Sequence, residues 1–197
     1  MRLVCATEMS RLEYIALSHC WGNLLVEEKK AFCTSKKNLP QRQIGFHLSG
    51  LPKTFQDAVK VTRELGILYL WIDSLCIIQF GDNNEDWNIQ SSQMGTVFSE
   101  AYCIIAATAA ANSYAGFLER DVNTKNVYVQ DALGKQFYIS TDIDNFDDDV
   151  GKSQLNTRAW VMQEGVLARR IIHFSANQTY WECSDGVYCE NLTMLSR

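Results

Sequence analysis

Apolar and polar positions alternate along this chain in a way that predicts strands separated by amphipathic helices. Tyr14 to Leu17 is a short apolar run that breaks at Ser18-His19, as a strand ending in a loop does. Leu51-Pro52-Lys53-Thr54 then carries a helix start signal, with Thr54 as N-cap and Asp57 in the first turn. Phe55, Ala58, Val59 and Thr62 follow at helical spacing, and Gly66 is placed to end that helix. Ile67 to Ile78 is nearly continuous apolar sequence around Asp73, which predicts a strand covered on both faces. Asp82-Asn83-Asn84 caps one further helical segment, in which Met94, Val97, Phe98 and Ala101 share a face. Tyr102 to Thr108 is a third candidate for a buried strand.

This alternation predicts an α/β fold with a parallel sheet core and helices on both faces. The pattern changes after Asn112. Val127-Tyr128-Val129 and Phe137-Tyr138-Ile139 flank a turn containing Gly134 and predict a hairpin, and the Tyr180 to Tyr188 region predicts another. Between them, Thr157 to Ala168 reads as a short helix leading into a strand from Arg170 to Phe174. The late part is therefore expected to be a β-rich C-terminal addition to one domain spanning residues 1–197. The acidic stretch Asp142 to Asp149 lacks the central Gly and terminal Glu of a calcium-binding EF-hand loop, so it reads as a solvated loop.

Composition narrows the classes. The 197 residues are 47% hydrophobic and 21% charged, enough apolar content for one sizeable core. A net charge of −5 argues against a nucleic-acid partner, which needs a basic surface to displace counterions. Seven cysteines without a CxxC pair, and no apolar targeting stretch after Met1, lead to the expectation of a reducing, cytoplasmic location. The apolar stretch Cys103 to Ala111 falls well short of the roughly 20 residues that span a bilayer, so no membrane span is expected.

Three strings mix buried-type apolar residues with polar ones: Ala16 to Gly22, Leu70 to Gln79, and Arg158 to Glu164. On an open parallel sheet, ligands lie beyond the carboxyl ends of the strands, so Ser18, His19 and Trp21 after the first strand and Asp73 and Ser74 near the end of the second can reach one crevice. On a helix beginning near Ala159, Trp160, Gln163 and Glu164 share a face through i, i+3 and i+4 spacing. Each has a plainer structural explanation: the tryptophans as packing, Asp73 as a cap for backbone N–H groups, and Glu164 as a partner of Arg158 or Arg169. A cysteine hydrolase using Cys76 and His19 is a third reading, because His19 and its neighbour Cys20 point to opposite faces of an extended chain. Zinc deaminase, GxGxxG and Walker A motifs are absent.

Taken in order, the three strings resemble the motifs of the heterokaryon incompatibility (HET) domain of filamentous fungi: A-L-S-[YH]-x-W-G, L-W-[IV]-D-x-[LI]-C-I-x-Q, and R-[GA]-W-x-x-Q-E followed by L-[AS]-x-R. The likeness runs from about Tyr14 to Phe174, with Ala159 where Gly is usual, Val161-Met162 in place of a Thr-Leu type pair, and Ile78 in place of Asn. The resemblance implies a cell-death effector in fungal non-self recognition. HET domains have in turn been likened to TIR domains, which implies a flavodoxin-like core and cleavage of NAD+ or NADP+ as substrate, with no separate cofactor. By that resemblance Glu164 is the catalytic carboxylate, and Ser18, His19, Trp21, Asp73, Ser74, Arg158, Trp160 and Gln163 bind substrate. Homo-oligomerisation on activation and a C-terminal regulatory region or upstream receptor are also implied. The alternative is a non-enzymatic, self-associating signalling module of the same pathway.

Overall fold

The computed structural model describes residues 1–5, 13–120, 126–131, 134–140, 145–157, 165, 167–190 and 192–195. Its centre is a seven-stranded sheet built from β1 (Tyr14–Ser18), β2 (Tyr69–Trp71), β3 (Cys103–Ala106), β6 (Arg170–Phe174), β7 (Thr179–Cys183), β8 (Gly186–Cys189) and β9 (Met194–Leu195). The spatial order is β2-β1-β3-β6-β7-β8-β9. The first four strands are parallel, with Ala16 opposite Trp71 and Ile104, and Ile105 opposite Ile172. From β6 onward the pairing is antiparallel. The 2-1-3 order of the leading strands is that of flavodoxin-like α/β proteins. The expected β-rich addition thus continues the same sheet. β4 (Asn126–Gln130) and β5 (Gln136–Ser140) form a separate antiparallel hairpin, with Val127 opposite Ile139.

Alternating strand residues explain why the central strands read as unbroken apolar runs. Ile15, Leu17, Cys103 and Ile105 point to one face and pack with Phe32 of α1 (Val26–Phe32) and with Phe55 and Ala58 of α3 (Lys53–Glu64). Ala16, Ile104, Ala106 and Ile171 point to the other and pack with Met94 and Phe98 of α6 (Met94–Glu100). Helices therefore cover both faces of the parallel core. α2 (Leu39–Ile44) brings in Arg42, whose buried guanidinium bonds the Phe32 carbonyl and Thr34 hydroxyl.

Several expected boundaries move. Helix α3 begins one residue before Thr54, with Pro52 at its N-cap, because the Thr54 hydroxyl donates to the Asn112 carbonyl (3.1 Å) and accepts the Gly116 N–H (3.1 Å). Gly66 ends α3 as expected: at φ +73° it lets the N–H of Ile67 reach the Thr62 carbonyl (3.1 Å) and its own N–H reach that of Arg63 (3.0 Å). The run from Ile67 to Ile78 is not one strand covered on both faces. It forms the short, half-buried edge strand β2 and then the helical turn α4 (Asp73–Cys76). The Asp73 carboxylate accepts the Ser74 N–H (2.6 Å), a local bond that competes with further strand pairing. The second expected helix is two, α5 (Glu85–Ser91) and α6, with Asp82 accepting the Asn84 and Asp86 N–H groups ahead of α5. The end of the acidic stretch is a wide helical turn, Asp147–Gly151, rather than a solvated loop. Its Asp149 accepts bonds from Tyr180 Oη (2.7 Å) and Asn177 Nδ2 (2.6 Å).

Candidate functional site

The carboxyl ends of β1, β2 and β3 meet where the strand order reverses, the usual position for ligands on such a sheet. The chain leaving β1 places buried Ser18 and His19 and half-buried Trp21 there. The chain leaving β2 places Asp73 and fully buried Ser74 beside them. Trp21 Nε1 donates to Asp73 Oδ2 (2.9 Å), while Oδ1 takes the Ser74 N–H and lies 4.0 Å from His19 Nδ1. Both carboxylate oxygens are thereby oriented, and the Asp73 side chain keeps 16% of its surface open to solvent. Gln79, the last residue of its motif, donates through Nε2 to the Asp73 carbonyl (3.2 Å) and steadies the turn.

Rings pack around this carboxylate. His19 lies nearly parallel to Trp21 (centroids 6.4 Å apart, 14° between planes) and edge-on to Phe55 at 5.0 Å. Phe32 meets Trp21 edge-on, and Lys29 Nζ sits 5.9 Å from the Trp21 ring centroid. The Trp21 carbonyl accepts both the N–H and the hydroxyl of Ser113, and Gly22 lies directly against Asn112, so the loop after β3 holds the loop after β1. Ser74 Oγ, also buried, has no hydrogen-bond partner among the described residues.

A second depression on the same sheet edge has a volume of about 280 Å³. Its walls come from Thr108, Ala109 and Ala111 after β3, from Asp148, Asp149, Ser153 and Gln154, and from Ala176 after β6. The loop after β3 touches both places, lining the depression through Thr108, Ala109 and Ala111 and holding the Trp21 loop through Asn112 and Ser113.

Of the residues selected from sequence, the structure joins His19, Trp21 and Asp73 in direct contact, with Ser18 and Ser74 as their buried chain neighbours. Arg158, Trp160, Gln163 and Glu164 lie outside the described residues, as does most of the expected helix from Thr157 to Ala168. Sequence reasoning missed Lys29 and Asn112, both brought in by tertiary contact. The thiol reading gains nothing: although Cys76 has an exposed surface, burial around its sulfur, with a smaller push from the Asp73 carboxylate, raises its thiol to about 11. At neutral pH such a group is almost entirely protonated and a poor nucleophile. Among the described residues there is no group of His, Cys, Asp and Glu suited to a metal ion, and no helix long and apolar enough to cross a membrane.

The family model described as heterokaryon incompatibility protein (HET) matches residues 14–164, a span that includes all three motif strings. No curated protein and no solved structure matches the chain.

Proposed function

The chain belongs to the heterokaryon incompatibility (HET) family, and within that role we propose that it is a death effector cleaving NAD+ or NADP+ to nicotinamide and an ADP-ribose product. The observation that carries this reading is the Asp73 carboxylate, held by the Trp21 indole N–H and the Ser74 N–H at the carboxyl edge of a flavodoxin-like sheet. A mostly buried carboxylate in fixed orientation, with part of its surface open, suits a substrate with paired ribose hydroxyls and a cationic ring. In the reaction the bond between C1′ of the ribose and the nicotinamide nitrogen breaks, its electron pair leaving with nicotinamide. Positive charge develops on the ribose as an oxocarbenium-like species, and water then adds at C1′ with loss of a proton. Glu164, from the third motif, is assigned to the developing charge. Asp73 orients the ribose hydroxyls, and Trp21, His19 and Ser18 form the wall on that side, with Ser74 behind it. Arg158, Trp160 and Gln163 complete the pocket in this assignment.

A constitutive activity of this kind would deplete the cell's own nucleotide, so the effector is assigned an assembled active state. One feature favours self-association in its own right. Among the described residues β2 ends the sheet, and beside it Leu68 is 87% exposed, so this edge offers backbone without a strand partner among them next to an apolar side chain. A signalling module acting by association alone is the second reading.

The test is nicotinamide release from NAD+ and NADP+ by the purified chain at high concentration, beside Glu164→Gln and Asp73→Asn, with folding of each checked by circular dichroism. Release by the parent and its loss in folded Glu164→Gln are the expected results. Full cleavage by folded Glu164→Gln would refute the catalytic assignment, and no release even when the chain is forced to oligomerise would favour the signalling module.

A further inference from the structure

Lys29 differs from the lysines that make ion pairs. Lys30, its neighbour in α1, pairs with Glu27 at 2.7 Å, and Lys53 pairs with Asp57 and Glu119 at 3.0 Å. Lys152 pairs with Asp148. Lys29 makes no ion pair among the described residues. Its ammonium rests over the Trp21 ring at 5.9 Å, on the indole whose N–H holds Asp73. The Cys33 thiol, pushed up chiefly by burial, is raised further by the Asp73 carboxylate and lowered by Arg42 and, less, by Lys29, so both charges of the site act on one sulfur. The site therefore has a carboxylate at the indole N–H and a cation near the ring face of one tryptophan.

We propose that Lys29 is the phosphate-recognising residue of this site, contacting the pyrophosphate of a dinucleotide whose ribosyl end lies against Asp73 and Trp21. The inference rests on the nucleotide reading given above and names a residue outside all three motif strings. Its chemistry follows from charge. A pyridinium dinucleotide is cationic at the nicotinamide and anionic at the pyrophosphate, so it matches a site with opposite charges at its two ends. An anionic ligand placed with only Asp73 and the surrounding rings would meet net repulsion. Lysine suits the task as a point charge on a long flexible stem, and the aromatic face beneath it limits the directions that stem takes.

The experiment measures dissociation constants by titration calorimetry for NAD+, which carries the pyrophosphate, and for nicotinamide riboside, which lacks it. The proteins are the parent chain, Lys29→Gln, Lys29→Arg and Lys30→Gln. Lys29→Gln is expected to weaken NAD+ about tenfold, the scale of one charge-assisted contact, and to leave nicotinamide riboside unchanged. Lys29→Arg is expected to restore most of the NAD+ affinity, and Lys30→Gln to match the parent. Equal weakening of both ligands would overturn the proposal, since Lys29 would then act only by supporting Trp21. No weakening of NAD+ would overturn it too, while leaving the nucleotide reading intact. Failure of the parent to bind either ligand would refute that reading and this inference together.

Discussion

Gly22 closes the first motif string, and replacing it with alanine perturbs the candidate site at its tightest backbone contact. Two costs add. Gly22 has φ +79°, where an L side chain costs about 1–2 kcal/mol. An added Cβ would also fall 2.3 Å from Asn112 Cβ and 3.2 Å from Asn112 Cα, so one backbone must move. Asn112 is poorly placed to yield, because its carbonyl accepts the Thr54 hydroxyl (3.1 Å) and its side chain accepts the Tyr114 N–H (2.8 Å). Overpacking of this kind costs about 1–3 kcal/mol, so Gly22→Ala should lose roughly 2–5 kcal/mol in all. Gly66→Ala is the internal control: φ is +73° but no atom lies within 4 Å of the added carbon, so only the conformational term applies. Urea unfolding of both variants, followed by tryptophan fluorescence and far-ultraviolet circular dichroism, gives the two losses and their difference. Equal losses would refute the contact argument, and a Gly22→Ala loss below about 1 kcal/mol would refute both terms.

Two further outcomes follow from buried polar groups. Asp57, buried in α3, accepts the N–H groups of Phe117 (2.9 Å) and Leu118 (3.2 Å), so Asp57→Ala strands both donors and should cost about 2–5 kcal/mol by urea denaturation. Burial raises the thiols of Cys33 and Cys103 from an ordinary value near 9 to about 12. Above pH 9 the unfolded chain releases these protons while the folded chain keeps them. Stability should therefore be whole below about pH 9 and fall by roughly 1.4 kcal/mol per pH unit for each thiol as pH rises toward 12. Urea midpoints between pH 8 and 11 should fall less steeply in Cys103→Ala, and an unchanged slope in that variant would contradict the linkage.

Elements that bury one consistent stripe or face were the most legible. The strand Arg170–Phe174, the α3 helix with its Gly66 terminus, and both late hairpins follow directly from side-chain period and turn residues. The run from Ile67 to Ile78 misled because apolar density does not separate a buried strand from a strand that turns into a short helix. What decides there is the Asp73 side chain bonding the next N–H, and a sequence pattern weighs that bond less than the ten apolar residues around it. Thr54 misled similarly, since its hydroxyl serves Asn112 and Gly116, 58 and 62 positions away, instead of its own helix. The site was legible as three strings because each combines a strand end with polar residues. Lys29 left no such signal: in sequence it is one of two adjacent lysines on an exposed helix, and only the fold lays it over Trp21.

The contacts around Asp73 also show how residues remote from it should bear on its proposed role. Asp57 and Thr54 fix α3 to the segment around Asn112 to Leu118. That segment holds the Trp21 carbonyl through Ser113 and abuts Gly22. Trp21 in turn holds Asp73. Each link is a hydrogen bond or a backbone contact with little room to adjust, so a displacement at α3 reaches the carboxylate through three successive loops. In the proposed role Asp73 must keep a fixed position, and such a chain adds to the local bonds that Thr34 and Gln79 make to its turn. The four-residue helix carrying Asp73 is held twice: Thr34 and Gln79 bond its carbonyls, and Trp21, anchored through α3, bonds its carboxylate.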